Sequence, residues 1–428
     1  MAGTILTKAF KNIKLNVGGS RLNSIFDVVI VGAGAGGIAA AASLLKRQRG
    51  LKVALIDPSE THDYQPGWTM VGGGIFSQAS TRRQMSTLIP RHATWIQQAV
   101  KGFIPESNTV ALDDGQHVTY SQLIVAAGLK LDFDAVQGLS ETLGKNGVTS
   151  NYRYDLAPYT WELVKNLNSG DAIFTQPPMP IKCAGAPQKA MYLSGDHWFK
   201  QGRINNINVQ FCTSTPGLFG VAEYVPALME YVEKYQATLN FQHTLTSVDG
   251  ENKLATFVDS DGNKVVKRFD MLHVCPPQSA HDFVADSSLS DDAGWLDVDQ
   301  HSLQHTRHSN VWGLGDCTNS PNAKTAAAAR AQAPIVAMNV LAELGLSSEK
   351  AAYNGYGSCP LTVERGKIVL AEFGYGGKII PSLPTSLLNG KRATRAAWFL
   401  KAIMLPWIYW NGMLKGREWL VKIEPQEA

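Results

Sequence analysis

The 428-residue sequence predicts an α/β protein built from two Rossmann-like domains and closed by a C-terminal amphipathic region of membrane-anchoring helices. Three observations carry this. Between Phe26 and Asp57 a strand, a glycine-rich turn, a helix, a second strand and an acid follow one another. A second βαβ outline without the glycine turn fills the middle, and tryptophans interleave with basic residues from Ala396 to Leu420. The length exceeds what one hydrophobic core fills, so two or three domains are expected. A chain with 44% apolar and 18% charged residues has a folded composition.

Ahead of the first acid, Asp27, the segment Met1 to Phe26 carries Lys8, Lys11, Lys14 and Arg21 among serine, threonine and spaced apolar residues. That is the composition of a mitochondrial transit peptide, so residues 1–25 are expected to be a targeting segment. Phe26 to Val31 is a β-branched strand that runs into Gly32-Ala33-Gly34-Ala35-Gly36-Gly37. The alanine-rich helix Ile38 to Lys46 and the strand Leu51 to Ile56 follow, ending at Asp57. In this order the turn is a dinucleotide fingerprint. Gly32 permits the tight bend, Gly34 lets the backbone approach phosphate, and Gly37 lets helix and strand pack closely, with Ala35 and Gly36 completing the loop. Asp57 is placed to accept hydrogen bonds from ribose hydroxyls.

The middle reads as helix Tyr159 to Leu167, strand Ala172 to Phe174, helix Lys189 to Lys200, strand Asn208 to Thr213 and helix Val225 to Tyr235. A hairpin from Phe257 to Lys267 turns at Asp261-Gly262-Asn263. Where a second glycine loop would stand, the chain has Pro177-Pro178-Met179-Pro180-Ile181-Lys182-Cys183-Ala184-Gly185-Ala186-Pro187. Prolines lack the N–H groups that bind phosphate, so a nicotinamide donor is disfavoured. Cys183, beside Lys182 and near Lys189, instead lies in a positive setting that favours thiolate, the form that attacks sulfur.

A net charge of +3 gives no argument for nucleic acid, and no such motif is present. Cys183, Cys212, Cys275, Cys317 and Cys359 show no C-x-x-C spacing, which argues against zinc or a secreted disulfide framework and leaves open a redox pair of distant cysteines. Cys212, Cys275 and Cys317 read as small buried apolar residues. His301, His305 and His308 are irregularly spaced with no fourth ligand, so no metal is expected. In the tail, Pro406 interrupts an uncharged stretch too short to cross a bilayer. A pair of interfacial helices fits instead, with aromatic rings at headgroup depth and Lys391, Arg392, Arg395, Lys401, Lys415 and Arg417 toward anionic lipid.

Leu123 to Gly128 and Asn310 to Asp316 resemble the two segments by which two-domain flavoproteins hold FAD. The helix Thr325 to Leu344 that follows would aim its positive end at the flavin. Ala127, Gly128, Gly315 and Asp316 are therefore expected FAD contacts. The domains then read as 26–150 with 271–345 for FAD, 151–270 as the second Rossmann-like domain, and 346–428 as a C-terminal domain.

The glycine turn with Asp57, Y-Q-P-G-W at Tyr64 to Trp68, K-C-A-G-A-P-Q-K at Lys182 to Lys189, G-D-C-T-N at Gly315 to Asn319, S-C-P-L at Ser358 to Leu361 and the aromatic tail resemble the sulfide:quinone oxidoreductases, of the mitochondrial two-cysteine kind. The resemblance implies that Cys183 and Cys359 meet beside the flavin, joined at rest by a disulfide or trisulfide. Hydrosulfide would attack at Cys359, leave a persulfide there and free the Cys183 sulfur. Electrons would pass through FAD to ubiquinone, and the Cys359 sulfur to a small nucleophile such as glutathione or sulfite. By the same resemblance Glu141 is a proton acceptor, Lys189 steadies negative charge by the flavin or sulfur, and Lys401 does so near the quinone. Gln65 and Val100 would touch FAD. The implied setting is the mitochondrial inner membrane, with a bacterial plasma membrane as the alternative and an oligomer left open. A type 2 NADH:quinone dehydrogenase would need a second glycine fingerprint. A soluble sulfide dehydrogenase subunit would lack the tryptophan tail, and a non-catalytic flavoprotein would have no use for the cysteines.

Overall fold

The computed structural model describes residues 25–386 and 388–425, so the expected targeting segment lies outside the described residues except for Ile25. Strand β1 (Ile25–Val31) ends in four buried residues and pairs in parallel with β2 (Val53–Ile56) on one side and His117–Val125 on the other. Ala93–Ile96 extends the sheet beyond β2, and Val311–Gly313 pairs in parallel with His117–Val125. Register is what builds the crevice. Val31 lies opposite Ile56 and Val125, and Gly313 opposite Val125, so four strands stop at one level. The loops beginning at Gly32, Asp57, Ala126 and Leu314 therefore open side by side at the carboxyl edge, where open α/β sheets bind ligands.

Helix α1 (Ala35–Arg47) starts one turn past β1 and buries its run of alanines, with Lys46 and Arg47 complementing the dipole at its end. A β-carbon on Gly37 would stand 1.8 Å from the Gly32 carbonyl oxygen, so only glycine lets this helix return so close to its strand.

The second sheet is parallel throughout, in the order Val148–Thr149, Met271–His273, β3 (Gly170–Gln176), Ile207–Thr213 and Thr238–Phe241. Two of its strands come from outside the expected 151–270 span. Both crossing segments pair in parallel with the sheet, Val148–Thr149 as its edge strand and Met271–His273 beside β3. Helix α2 (Ala186–Lys200) follows β3 after the proline-rich loop. The hairpin expected at Asp261 to Asn263 joins the antiparallel strands Leu254–Val258 and Lys264–Arg268.

Helix α3 (Ala326–Glu343) is capped by the Thr325 hydroxyl, which accepts from the Ala328 N–H at 3.1 Å, and packs against α1. Beyond it, β4 (Gly357–Glu364) and β5 (Lys367–Phe373) form an antiparallel ribbon with Ser358 opposite Glu372 and Cys359 opposite Ala371. Side chains alternate across the pleat. Cys359, Leu361, Val363, Val369 and Ala371 pack into the core beside α2, whereas Ile368 and Leu370 face the tail residues Ala397, Trp398 and Leu400.

The tail is not the helix pair expected from Pro406. Helix α4 (Arg395–Phe399), a wide π turn over Leu400–Met404 and helix α5 (Leu405–Asn411) keep helical backbone throughout and form one helix. Proline has no N–H to donate and clashes with the carbonyl four residues earlier, and the wider turn just before Pro406 removes that conflict. Phe399, Ile403 and Trp407, at i, i+4 and i+8, are 52%, 58% and 55% exposed, while Lys401, Ile408 and Tyr409 on the other side are buried. Among the described residues no helix is long and apolar enough to cross a membrane.

Candidate active site

Cys183 sits in the loop between β3 and α2 with φ +49°, a left-handed conformation that costs a cysteine of order 1–3 kcal/mol. Surrounding bonds hold it there. Its N–H donates to the Lys324 carbonyl at 2.8 Å, its carbonyl accepts from the Ala186 N–H at 2.7 Å, and the Tyr152 hydroxyl reaches the carbonyls of Lys182 and Cys183. The start of α2 lies against β4 because residue 185 is glycine. A β-carbon there would meet the Leu361 side chain at 2.6 Å and stand 3.7 Å from the Cys359 β-carbon.

Cys183 and Cys359, 176 positions apart in the numbering, thus come within hydrogen-bonding reach of one another. The Lys189 ammonium, buried, donates to the Cys183 sulfur at 3.2 Å. Lys401, also buried, donates to the Pro66 carbonyl at 3.0 Å. These contacts split the two thiols. A hydrogen bond from Cys359, then the charge and hydrogen bond of Lys189, hold Cys183 well below the usual thiol range despite burial. Donation to Cys183, burial and the neighbouring negative charge push Cys359 well above it. Burial, reinforced by the Lys189 charge, lowers Lys401 to about 7. Burial likewise lowers Lys182 to about 8 against the pull of Asp316, whose own carboxyl is raised by burial.

A cavity of about 490 Å³ opens beside Cys183 and runs along the carboxyl edge of the first sheet. Gly32, Gly34, Ala35, Gly36, Asp57, Gln65, Ala127, Gly128, Gly315 and Asp316 all line it. Its walls fit FAD. Open space stands where β-carbons would be at Gly34, Gly128 and Gly315, the last two at φ +71° and +77°. The N-terminus of α3 faces in through Thr325, Ala326 and Ala327. Thr69 Oγ1, Trp68 Nε1, both amide atoms of Asn151 and Arg330 Nε, all on residues that line the cavity, are buried without a protein partner, the condition a polar cofactor would relieve. Asp57 already accepts from the N–H groups of Ala33 at 2.7 Å and Ser59 at 2.8 Å, which fixes the carboxylate at the end of β2.

Some expected site residues lie elsewhere. Glu141 is exposed on the short helix Leu139–Thr142, next to the strand Thr244–Asp249, and does not line the cavity, so the proton-acceptor role is not carried further. A four-residue helix after Gly138 turns it outward on the second domain's side. Val100 begins the edge strand Val100–Ile104, also outside the lining. Gly37 supports the turn from behind. Gln65 lines the cavity and accepts from Lys182 Nζ at 2.7 Å. Sequence reasoning missed Lys324, whose ammonium is tied to the carbonyls of Asp316 and Thr318 at 2.8 and 2.7 Å. It also missed Tyr152, Arg330 and Glu372, since single polar residues inside apolar stretches give no pattern of their own.

A glycine-lined crevice at the ends of the parallel strands of one sheet, a second sheet supplying a reactive cysteine and a partner thiol from the β4–β5 ribbon define a flavin-dependent dithiol/disulfide oxidoreductase. Accordingly, residues 26–175 match the family described as pyridine nucleotide-disulphide oxidoreductase. The chain is 42% identical over 401 residues to the mitochondrial sulfide:quinone oxidoreductase of Dictyostelium discoideum, covering 93% of this chain and 88% of that protein. It is 38% identical over 393 residues to the Mus musculus protein of the same name, with 91% and 87% covered. The chain belongs to the sulfide:quinone oxidoreductase family. The crystal structure of the Aquifex aeolicus sulfide:quinone oxidoreductase shares the fold, with a TM-score of 0.77 at 19% identity over 94% of this chain and 97% of that one.

Proposed function

We propose that this protein oxidises hydrogen sulfide at a Cys183–Cys359 disulfide or trisulfide and passes the electrons through FAD to a quinone. The observation that carries this is the pairing of two remote thiols, oppositely shifted, under the Lys189 ammonium. The asymmetry sets the direction of attack. Hydrosulfide bonds to the Cys359 sulfur, the bond toward Cys183 breaks, and the better leaving group departs as the thiolate that Lys189 stabilises. Cys359 keeps the new sulfur as a persulfide, and a small nucleophile such as glutathione or sulfite removes it. Re-forming the bridge between the Cys359 thiolate and the sulfur anion on Cys183 gives up two electrons, which bound FAD would take. Bound FAD supplies the two-electron relay between sulfur and quinone. Gly32 to Gly36, Asp57, Gln65, Ala127, Gly128, Gly315 and Asp316 would hold it.

The exposed stripe of Phe399, Ile403, Met404 and Trp407 supports seating on a membrane surface, from which a ubiquinone could enter. The names of the relatives support a mitochondrial location, and the aromatic stripe supports peripheral attachment to the inner membrane. Anaerobic stopped-flow absorbance tests the reading: sulfide bleaches the flavin, a soluble ubiquinone analogue restores it, and NADH leaves it unchanged. Retained bleaching by sulfide in a Cys359→Ser variant, or bleaching by NADH alone, would overturn it.

A further inference from the structure

The β4–β5 ribbon has two unlike faces. Its odd-numbered side chains carry Cys359 into the core beside α2, and its even-numbered ones, Ser358, Pro360, Leu370 and Glu372, line the cavity. Among the described residues Glu372 is the one carboxylate of the ribbon that lines the cavity, only 6% exposed, together with the apolar lining residues Leu370, Leu383 and Leu400. A closed set of hydrogen bonds positions it. The Tyr356 hydroxyl donates to Oε1 at 2.6 Å, the Ser382 hydroxyl also donates to Oε1, and the Ser382 N–H donates to Oε2 at 3.2 Å. Its backbone is pinned separately, the carbonyl and N–H both bonding the Tyr224 hydroxyl at 3.1 Å. Tyr356 and Ser382 line the cavity as well, and Ser382 belongs to a loop that reaches the exposed residue Pro384. The buried guanidinium of Arg330, its Nε unpartnered, lines the same cavity.

We propose that Glu372, held by Tyr356 and Ser382, is the catalytic residue that delivers a proton to the quinone. This rests on the proposed function above. The balance requires such a group. Hydrosulfide brings one proton and two electrons, whereas quinone becomes quinol by taking two of each, so each turnover needs one proton from solvent: HS⁻ + H⁺ + Q gives sulfane sulfur and QH₂. Bound FAD would supply the two electrons and one proton. Glu372, once protonated from solvent along the Ser382 loop, gives the other to a quinone oxygen and returns to the carboxylate that Tyr356 and Ser382 hold. A carboxyl in an apolar wall suits a flat quinone headgroup with one of its two carbonyl oxygens at the acid, and Tyr356 aims it. Of the two sulfurs, Cys359 stands on the opposite face of the ribbon, whereas Cys183 lines the same cavity as Glu372.

The test compares two rates in one protein, flavin bleaching by sulfide and re-oxidation by a soluble ubiquinone analogue, with ferricenium as an acceptor that takes electrons without protons. In Glu372→Gln the re-oxidation rate by quinone, relative to bleaching, is expected to fall by about 10²–10⁴-fold, the usual worth of a general acid. Re-oxidation by ferricenium is expected to keep its ratio, and Glu372→Asp to recover part of the loss. Tyr356→Phe, which keeps the carboxylate but loses its aim, is expected to fall less. An unchanged quinone ratio in Glu372→Gln, or an equal loss with ferricenium, overturns the assignment. Failure of quinone to re-oxidise the wild-type flavin overturns the proposed function itself and this inference with it. Flavin content, read from the absorbance before mixing, separates each outcome from misfolding.

Discussion

Replacing Lys189 by methionine tests the electrostatic core of the site. The ammonium lies 3.2 Å from the Cys183 sulfur. At an effective dielectric of ~20, a unit pair at that separation is worth about 5 kcal/mol, and at ~1.36 kcal/mol per pH unit this caps the displacement of the titration midpoint near four pH units. Cys359 and Lys401 remain in the variant, and neighbouring atoms relax, so a rise of about 1–3 pH units is expected, as for other acids beside a lost cation. The sign follows from the direction: Cys183 is depressed in the folded protein, so losing a cation raises it and leaves less thiolate near neutrality. The assay is alkylation of the anaerobically reduced protein by iodoacetamide across pH, with modification at Cys183 counted by mass spectrometry. Lys189→Arg, which keeps the charge, should stay near the wild type. An identical midpoint in Lys189→Met, at equal flavin content, would refute the claim that this lysine makes Cys183 the leaving group.

Gly37→Ala would press a methyl group against a backbone oxygen now 1.8 Å from the ideal β-carbon, and should destabilise by about 3 kcal/mol or more in thermal unfolding. Gly34→Ala, whose β-carbon meets nothing within 4 Å, should leave the protein folded and instead lower flavin retention on gel filtration. Lys401 is lowered from 10.5 to about 7, so the unfolded chain holds more protons between those values and wild-type stability rises with pH across that window. Lys401→Met should lose that slope, worth at most about 5 kcal/mol, as read from the difference between the two thermal-melt series. Ile403→Glu, on the 58% exposed side chain at the centre of the tail stripe, should leave sulfide bleaching intact while abolishing sedimentation with anionic vesicles. Continued co-sedimentation would remove the stripe from the membrane reading.

The first sheet and its crevice were legible because each element carries a local signature: β-branched runs, the Gly32 to Gly37 turn, an acid at the end of the next strand. The helices and strands of the second domain fell within a few residues of their observed ends for the same reason. The sulfur pair was different. Nothing local links Cys183 to Cys359, and only the family motifs brought them together, whereas the structure does so through the absent side chain of Gly185 and the pleat of β4. Glu372 was illegible because its neighbours Tyr356 and Ser382 converge on it from different loops, and an acid in an apolar strand looks like any edge residue. The tail was misjudged at Pro406, where the proline was taken for a break although a wide turn absorbs it.

The alternation along β4 limits how this protein can vary. In a strand, a shift of a single position exchanges inside for outside, so one residue gained or lost just before Cys359 would turn its thiol from the core beside α2 to the cavity-lining face of the ribbon and away from Cys183. Length change disturbs this alternation least within the turn between Glu364 and Lys367, where the two strands join.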